Sequence, residues 1–258
     1  MTAAAPPLAP DLAQGLRRLK LAAMRQLAPE LLLTAKTQRW APEELLRTLV
    51  EAEISARDAS NARTRLKAAA FPVAKTLEEF DLAVSSVPPA TFAYLASLEW
   101  ITAAENLCLV GPAGTGKSHL LVALGAAAVA AGHKVRYHTA AELTETLYRG
   151  LAGNSVGRVI DTLLRNVLIL IDEVGFAPLD DTGAQLLFRV VAAAYERRAL
   201  GIASHWPFES WGRFLPEHTT AVSLLDRLLH HANVVVTDGD SYRMREARAR
   251  KGTTLNNT

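Results

Sequence analysis

The sequence contains a single cysteine, Cys108, among its 258 residues. One thiol cannot form a disulfide within the chain, which excludes a disulfide-stapled fold and suits a reducing compartment. Because Cys108 lies in an apolar segment, we interpret it as a small core residue. No apolar run approaches the length of about 18 residues that a membrane span requires, and residues 1–7 lack the basic start and apolar centre of a secretion signal. We therefore expect a soluble, cytoplasmic protein without a membrane partner.

The sequence also has little net charge, +2 at pH 7, which neither favours nor excludes nucleic acid as a partner. Residues 1–72 nevertheless contain eleven Lys and Arg against seven Asp and Glu, a net charge of about +4, and their leucines fall near helical spacing. We predict three helices in this region. The first begins at Asp11, which is its N-cap, the second spans Glu30–Gln38, and the third begins at Ala41. The basic surplus is either an ordinary solvated helical face or a phosphate-binding surface.

The strongest motif is a glycine-rich segment that fits the pattern G-x-x-x-x-G-K-S/T at every constrained position. It follows the apolar segment Asn106–Val110, a predicted buried strand, and precedes an alanine-rich helix. Glycines let the backbone bend so that successive N–H groups converge on phosphate oxygens, and the helix N-terminus adds partial positive charge. Lys117 would reach the β- and γ-phosphates of ATP, and the Ser118 hydroxyl would bind Mg²⁺. The predicted nucleotide-binding residues are Gly111, Pro112, Ala113, Gly114, Thr115, Gly116, Lys117, Ser118 and His119.

The chain alternates between strands and helices after residue 91, and this order predicts an α/β fold with a parallel five-stranded sheet between helices. A helix is expected at Thr91–Trp100, and the other strands at 134–138, 167–171, 200–204 and 233–236. We expect residues 1–10 to be disordered, 11–70 to form a basic helical domain that binds DNA or a partner, 71–90 to be a proline-bounded linker, and 91–258 to form the ATPase domain with a basic tail. Joined to an ATP-binding unit, the basic helices favour DNA contact.

Two carboxylates, Asp172 and Glu173, follow the predicted strand Val167–Ile171. The end of such a strand lies at the carboxyl edge of the sheet, where open α/β folds bind ligands and where the phosphate loop also lies. Asp172 would hold Mg²⁺ through water, and Glu173 would orient and activate the attacking water as a general base. Acid pairs at strand ends are often solvated turns, but the buried strand and the phosphate loop together favour catalysis here.

Three further side chains are candidates for contact with the nucleotide. His205 follows the predicted strand 200–204 and is either a γ-phosphate sensor or a histidine of a surface turn. Arg227 lies on an amphipathic helix and either pairs with Asp226 or reaches the nucleotide of a neighbouring subunit as an arginine finger. Arg243 opens the basic tail and either contacts the nucleotide of its own subunit or belongs to a solvated or polyanion-binding end.

The adjacent histidines His230 and His231 could suggest a metal site. We expect no metal beyond Mg²⁺, because adjacent histidines are expected to point to opposite sides and because no cysteine or carboxylate partner shows metal-ligand spacing.

Four segments together resemble the IstB-like ATPases, the ATP-binding helper proteins of insertion-sequence transposition, which are similar to the DnaC and DnaI helicase loaders of the AAA+ group. The segments are residues 109–120, residues 170–175 with 178–180, residues 206–212, and residues 224–232 followed by 240–243. The phosphate loop in the first segment alone would indicate only a nucleoside triphosphatase, and the last two segments carry the resemblance to the family.

The resemblance implies that residues 111–118 are the Walker A motif, that Asp172 and Glu173 are the Walker B acids, and that residues 76–80 lie near the adenine. It further implies an arginine finger at Arg227 and a sensor arginine at Arg243. The chain departs from the family at Ser204-His205, where Ser-Asn is usual. An imidazole replaces an amide that donates and accepts at once, so the departure bears on the hydrolysis rate rather than on ATP binding.

The resemblance also implies an ATPase that assembles on duplex DNA as a homo-oligomer, with ATP and Mg²⁺, and that delivers the transposase of the same element to target sites. Two other interpretations stay open. A helicase loader would prefer single-stranded DNA and a replicative helicase, and a nucleotide-gated scaffold would assemble with negligible turnover.

Overall fold

Three helices form the first part of the chain in the computed structural model: α1 (Pro10–Arg18), α2 (Ala22–Gln38) and α3 (Pro42–Ala69). The structure describes residues 5–216, 218–239 and 241–242, and side chains throughout these ranges except at 218–220. The chain divides into two compact units, residues 1–64 and 65–258, and the boundary falls within α3.

Helix α2 begins well before the predicted Glu30 and continues through Pro29. Its N-terminus is capped by Glu53 of α3, whose buried carboxylate accepts hydrogen bonds from the N–H groups of Ala23 at 2.9 Å and Met24 at 3.1 Å. The hydrogen bond from Met24 is the main cause that lowers the pKa of Glu53. A cap supplied from a distant helix leaves no local signal, which is why the predicted start of α2 was wrong.

Helix α1 also differs at its first residues. Pro10, with its fixed backbone angle, occupies the first turn. Ala9 is the N-cap, and Asp11 lies inside the first turn rather than at the predicted cap position. Its carboxylate there faces the positive end of the helix dipole.

The second unit contains a parallel sheet of five strands in the order β2-β3-β4-β1-β5. This confirms the predicted fold class. Ser204 on β4 pairs with Val110 of β1 on one side and with Val174 of β3 on the other. The strands are β1 (Asn106–Val110), β2 (Val135–Thr139), β3 (Leu168–Val174), β4 (Ala199–Ser204) and β5 (Ala232–Val236).

Helices cover both faces of this sheet, since alternate residues of the same strand join different apolar clusters. On β1, Leu107 and Leu109 belong to one apolar cluster, whereas Cys108 belongs to the other. Burial raises the pKa of the Cys108 thiol to about 12, which suits an inert core residue. The helices are α4 (Pro89–Ser97), α5 (Glu99–Thr102), α6 (Lys117–Ala130), α7 (Ala140–Ala152), α8 (Val156–Leu163), α9 (Asp181–Ala194) and α10 (His218–Leu229), with 3-10 turns at Leu82–Val84 and Phe208–Arg213.

The predicted helix Thr91–Trp100 is two helices, because Leu98 adopts a left-handed conformation with φ of 62°. Gly201 weakens β4 as an isolated strand, but close packing explains why a glycine occupies this position. A Cβ at this position would lie 2.5 Å from Leu170 Cδ2 and 3.0 Å from Leu121 Cδ1. Glycine therefore allows β3 and α6 to approach the centre of the sheet closely.

Residues 71–90 belong to the second unit, and Phe71, Leu77 and Phe80 pack against its core. Within the described residues, no helix combines the length and apolar character that crossing a membrane would require.

Candidate functional site

The predicted phosphate loop is the turn between β1 and α6, and three of its glycines have positive φ. A Cβ on Gly111 would lie 2.0 Å from the carbonyl oxygen of Thr237, and one on Gly114 would lie 2.1 Å from Ser241 Oγ. The loop therefore combines left-handed backbone with close approach of another segment, and both require glycine. Side chains at Gly111 and Gly114 would fill the space that the loop encloses.

Lys117 is the first residue of α6, and only 8% of it is exposed. Its Nζ donates hydrogen bonds of 2.6 Å to the carbonyl oxygens of Gly111 and Pro112. The positive charge is therefore held at the loop and at the helix N-terminus, two features that favour an anion. Ser118 follows directly on the same helix.

Asp172 is the buried member of the acid pair, with 4% of the residue exposed. Its Oδ2 accepts a hydrogen bond of 3.0 Å from the Tyr137 hydroxyl, and its Oδ1 accepts one of 2.8 Å from the backbone N–H of Glu173. Burial, and then the negative charge of Asp172, raise the pKa of Tyr137, so this hydroxyl remains a donor. The carboxylate is thus oriented through both of its oxygens.

Both acids lie inside β3, which extends to Val174, whereas the strand predicted from the sequence ends at Ile171. A register irregularity between Ile171 and Val174 gives Glu173 a left-handed backbone, with φ of 59°, and leaves its side chain exposed. Bulges of this kind redirect a side chain away from the regular alternation of a strand. Asp172 and Glu173 therefore differ in burial and in the groups they can reach.

Strand β4 brings the acids and the phosphate loop to one edge of the sheet. It lies between β1 and β3, and the carbonyl of its last residue, Ser204, accepts a hydrogen bond of 3.1 Å from the Gly111 N–H. Because all strands are parallel, the loop after β1 and the acids of β3 share the carboxyl edge. This edge contains an ammonium, a hydroxyl and two carboxylates, a set suited to a metal-bound triphosphate.

His205 follows β4 and lies between these groups along the same edge. Burial lowers its pKa, and the charge of Lys117 lowers it further, so the imidazole is neutral at neutral pH. Its ring lies 4.8 Å from the Trp206 ring and 6.4 Å from that of Phe176, centroid to centroid. A neutral imidazole has one donor and one acceptor nitrogen, so it can partly replace the amide that the resemblance led us to expect here.

Aromatic side chains flank the phosphate loop on its other side. The rings of Phe80 and Phe92 stack at 5.7 Å, and Phe80 meets the His119 ring edge to face at 5.5 Å. Phe80 also lies 3.2 Å from the position of a Cβ on Gly116. An apolar aromatic wall beside the loop is suited to a purine base.

Arg227 lies on α10, with its guanidinium carbon 4.9 Å from the centre of the Phe188 ring on α9. Its Nη1 donates to the carbonyl oxygen of Ser223 at 3.3 Å. Within the described ranges, no ion pair joins Arg227 to Asp226, so that alternative is not observed. Arg243 lies outside the described residues.

Tyr137 and Thr237 also contribute to the site, and neither was predicted from the sequence. The N–H of Thr237 donates to the Val110 carbonyl at 2.7 Å, and the Thr237 hydroxyl lies 2.7 Å from the Thr115 hydroxyl. The Tyr242 N–H donates to the Gly114 carbonyl at 3.0 Å. A tyrosine on a buried strand is usually a core residue, so no local pattern indicated Tyr137. The position of Thr237 after a strand was an available signal, since that end also lies at the carboxyl edge.

A parallel sheet in this order, with a glycine loop entering α6 and acids on β3, is the P-loop NTPase fold of the AAA+ group. The family described as IstB-like ATP binding protein matches residues 14–250, and the chain belongs to this family. It is 34% identical over 244 residues to an insertion sequence IS21 putative ATP-binding protein of Pseudomonas aeruginosa, covering 94% of this chain and 92% of that relative.

Two solved structures share the fold. AMPPCP-bound DnaA from Aquifex aeolicus aligns with a TM-score of 0.54 at 20% identity, covering 70% of this chain and 56% of that one. DnaI aligns with a TM-score of 0.53 at 16% identity, covering 64% of this chain and 91% of that one.

Replacing Lys117 tests the phosphate loop. We expect Lys117→Ala to weaken the affinity for ATP about 10- to 100-fold, since a hydrogen bond to a charged group contributes about 1.5 to 3 kcal/mol. Isothermal titration calorimetry measures the change, and the exposed Lys134→Ala is the matched control. An ATP affinity equal to that of the control would show that Lys117 does not bind the phosphates.

Proposed function

We propose that this protein hydrolyses ATP and serves as the DNA-binding helper of an insertion element. It assembles with ATP on duplex DNA as a homo-oligomer, selects target DNA and recruits the transposase of the same element, and hydrolysis drives disassembly. The convergence of the phosphate loop with the acids of β3 at one sheet edge carries the proposal. Membership of the IstB-like family and the name of the Pseudomonas relative support the assignment to an insertion element.

Each group at this edge has a role that follows from its chemistry. Lys117 and the loop N–H groups bind the phosphates, and Glu173 takes a proton from the attacking water. Ser118 and Asp172 are the residues that would hold Mg²⁺, which supplies charge neutralisation at the phosphates. The donor set fits that ion, because a hydroxyl and an oriented carboxylate are the hard oxygen ligands it prefers.

The arginines complete the proposed machinery from outside this edge. Arg227 stabilises transition-state charge on the nucleotide of a neighbouring subunit, and Arg243 contacts the nucleotide of its own subunit. Hydrolysis would then depend on assembly.

Glu173→Gln separates binding from hydrolysis. The amide cannot accept the proton, so we expect unchanged ATP affinity, a turnover lower by about 100- to 10,000-fold, and a DNA-bound oligomer that persists. Phosphate release and ATP titration are the measurements. Glu145→Gln, which alters an exposed ion pair with Arg149 on α7, is the control. Undiminished phosphate release would contradict the role of Glu173.

Tyr137→Phe tests the orientation of Asp172. Loss of the hydroxyl leaves Oδ2 of a buried carboxylate without this donor, so we expect the Mg²⁺ concentration for half-maximal turnover to rise several-fold. ATP affinity measured in EDTA should stay the same. Tyr94→Phe removes a comparable hydroxyl, bonded to Glu105 Oε2 at 2.8 Å, and is the matched control. Equal Mg²⁺ dependence in both variants would show that Asp172 does not need Tyr137.

The DNA contact is assigned to the basic helices of the first unit. Arg17 and Arg18 form the basic last turn of α1, and both are exposed, as are Lys20 and Arg25. Exposed cations at this density can neutralise phosphates without reading sequence. The contact is therefore expected to be largely sequence-independent.

Salt dependence tests this assignment. Replacing Arg17 and Arg18 by alanine should weaken duplex binding and reduce the slope of log affinity against log salt by about two, one for each lost phosphate contact. Fluorescence anisotropy measures the slope, and the equally charged control replaces the exposed Arg158 and Arg165 of the second unit. A flat salt response in the parent protein would contradict phosphate binding.

Electron microscopy with ATP on duplex and on single-stranded DNA distinguishes the partners. The helper assembles on the duplex, whereas preference for single strands would indicate a helicase loader.

A further inference from the structure

Three ligand-type side chains, Glu196, His230 and His231, meet in the second unit. One ligand atom from each lies within 4.8 Å of the others. Glu196 lies in the connection from α9 to β4, and the histidines lie in the connection from α10 to β5. The cluster is therefore at the amino-terminal ends of β4 and β5, whereas the phosphate loop is at the carboxyl edge.

The expectation that the side chains of His230 and His231 point to opposite sides was wrong. The centres of the His230 and His231 rings are only 4.1 Å apart. Opposite orientation of neighbouring side chains is a property of extended strands, but these two residues lie in the turn before β5. The carboxylate partner comes from a position 34 residues earlier, so no local spacing could indicate it.

The distances suit a cation of the size and preference of Zn²⁺. Two ligands on one tetrahedral zinc, at bond lengths of about 2.1 Å, are roughly 3.4 Å apart. Glu196 Oε1 and His231 Nε2 are already 3.7 Å apart, and both side chains are more than half exposed. Small rotations of the Glu196 and His231 side chains would therefore complete the geometry. Two imidazoles with one carboxylate favour Zn²⁺ and its first-row neighbours over Mg²⁺ or Ca²⁺.

The surroundings hold the cluster in place. The Tyr195 hydroxyl lies 2.7 Å from His230 Nδ1, a contact that orients the imidazole. The carbonyl of His231 accepts a hydrogen bond of 2.7 Å from the Asn106 N–H, which ties this turn to β1. The guanidinium of Arg198, close to Glu196 in sequence, donates instead to the Leu164 carbonyl at 2.7 Å.

We propose that Glu196, His230 and His231 bind one divalent transition-metal ion of the zinc type, with the remaining coordination open to water. The bound ion links the α9–β4 connection to the α10–β5 connection. It thereby restrains the end of α10, the helix that carries Arg227. The site is separate from the nucleotide site and needs neither ATP nor DNA.

Co²⁺ and Zn²⁺ are the probes, used on nucleotide-free protein without Mg²⁺ and without a polyhistidine tag. We expect one Co²⁺ per chain with the visible spectrum of an ion in a low-symmetry nitrogen and oxygen site, displaced by Zn²⁺. At roughly 100 times Kd, Zn²⁺ should raise Tm by about 5 to 10 °C.

Matched variants decide the assignment. Glu196→Gln, His230→Asn and His231→Asn should each weaken affinity at least about 10-fold, while His133→Asn, which removes a histidine elsewhere, and Asp172→Asn, which alters the nucleotide site, should bind as the parent does. Glu196, His230 and His231 are exposed, so their variants are expected to fold. Circular dichroism checks the folding. Absence of one-to-one binding, or equal binding by all five variants, would overturn the proposal and leave only a surface ion pair between Glu196 and His231.

Discussion

The candidate nucleotide site depends on the register of β1 between β4 and β5. Strand β1 is buried on both faces, so alternation of apolar and polar residues cannot fix its register. Its first residue, Asn106, supplies the constraint: the buried amide accepts a hydrogen bond from the Leu200 N–H at 3.0 Å and donates to the Leu228 carbonyl at 2.9 Å. A slip of one residue would break both bonds and would move the phosphate loop relative to the acids of β3.

The segment after β5 makes the loop part of a larger unit. Thr237 bonds to the end of β1 and to Thr115, and the Tyr242 N–H bonds to Gly114. These contacts explain why Gly111 and Gly114 admit no side chain, beyond the requirement for positive φ. Any rearrangement of the loop must therefore move or release the segment that leads to Arg243. In the proposed function, this linkage would report the nucleotide state to the basic tail.

The sequence predicted the fold class, since the order of strands and helices and the phosphate loop have strong local signals. It did not predict features that arise between distant residues. The cap of α2 by Glu53, the donor that Tyr137 provides to Asp172, and the approach of Glu196 to the histidines all join positions more than 25 residues apart. Glu173 shows a different failure, because the bulge at this residue is a register shift in the pairing of β3 with β4, which the sequence of β3 alone does not reveal.

Strand β5 connects the two edges of the sheet. Its carboxyl end leads to Thr237 at the phosphate loop, and its amino end follows His231 in the proposed metal cluster. All five residues of this strand pair with β1. Coupling between the two edges requires two alternative arrangements of the protein. The metal ion and the nucleotide must both favour the same one. Because the metal would restrain α10 while the nucleotide contacts the loop, the arrangement they would share is the position of α10 and Arg227 relative to the sheet.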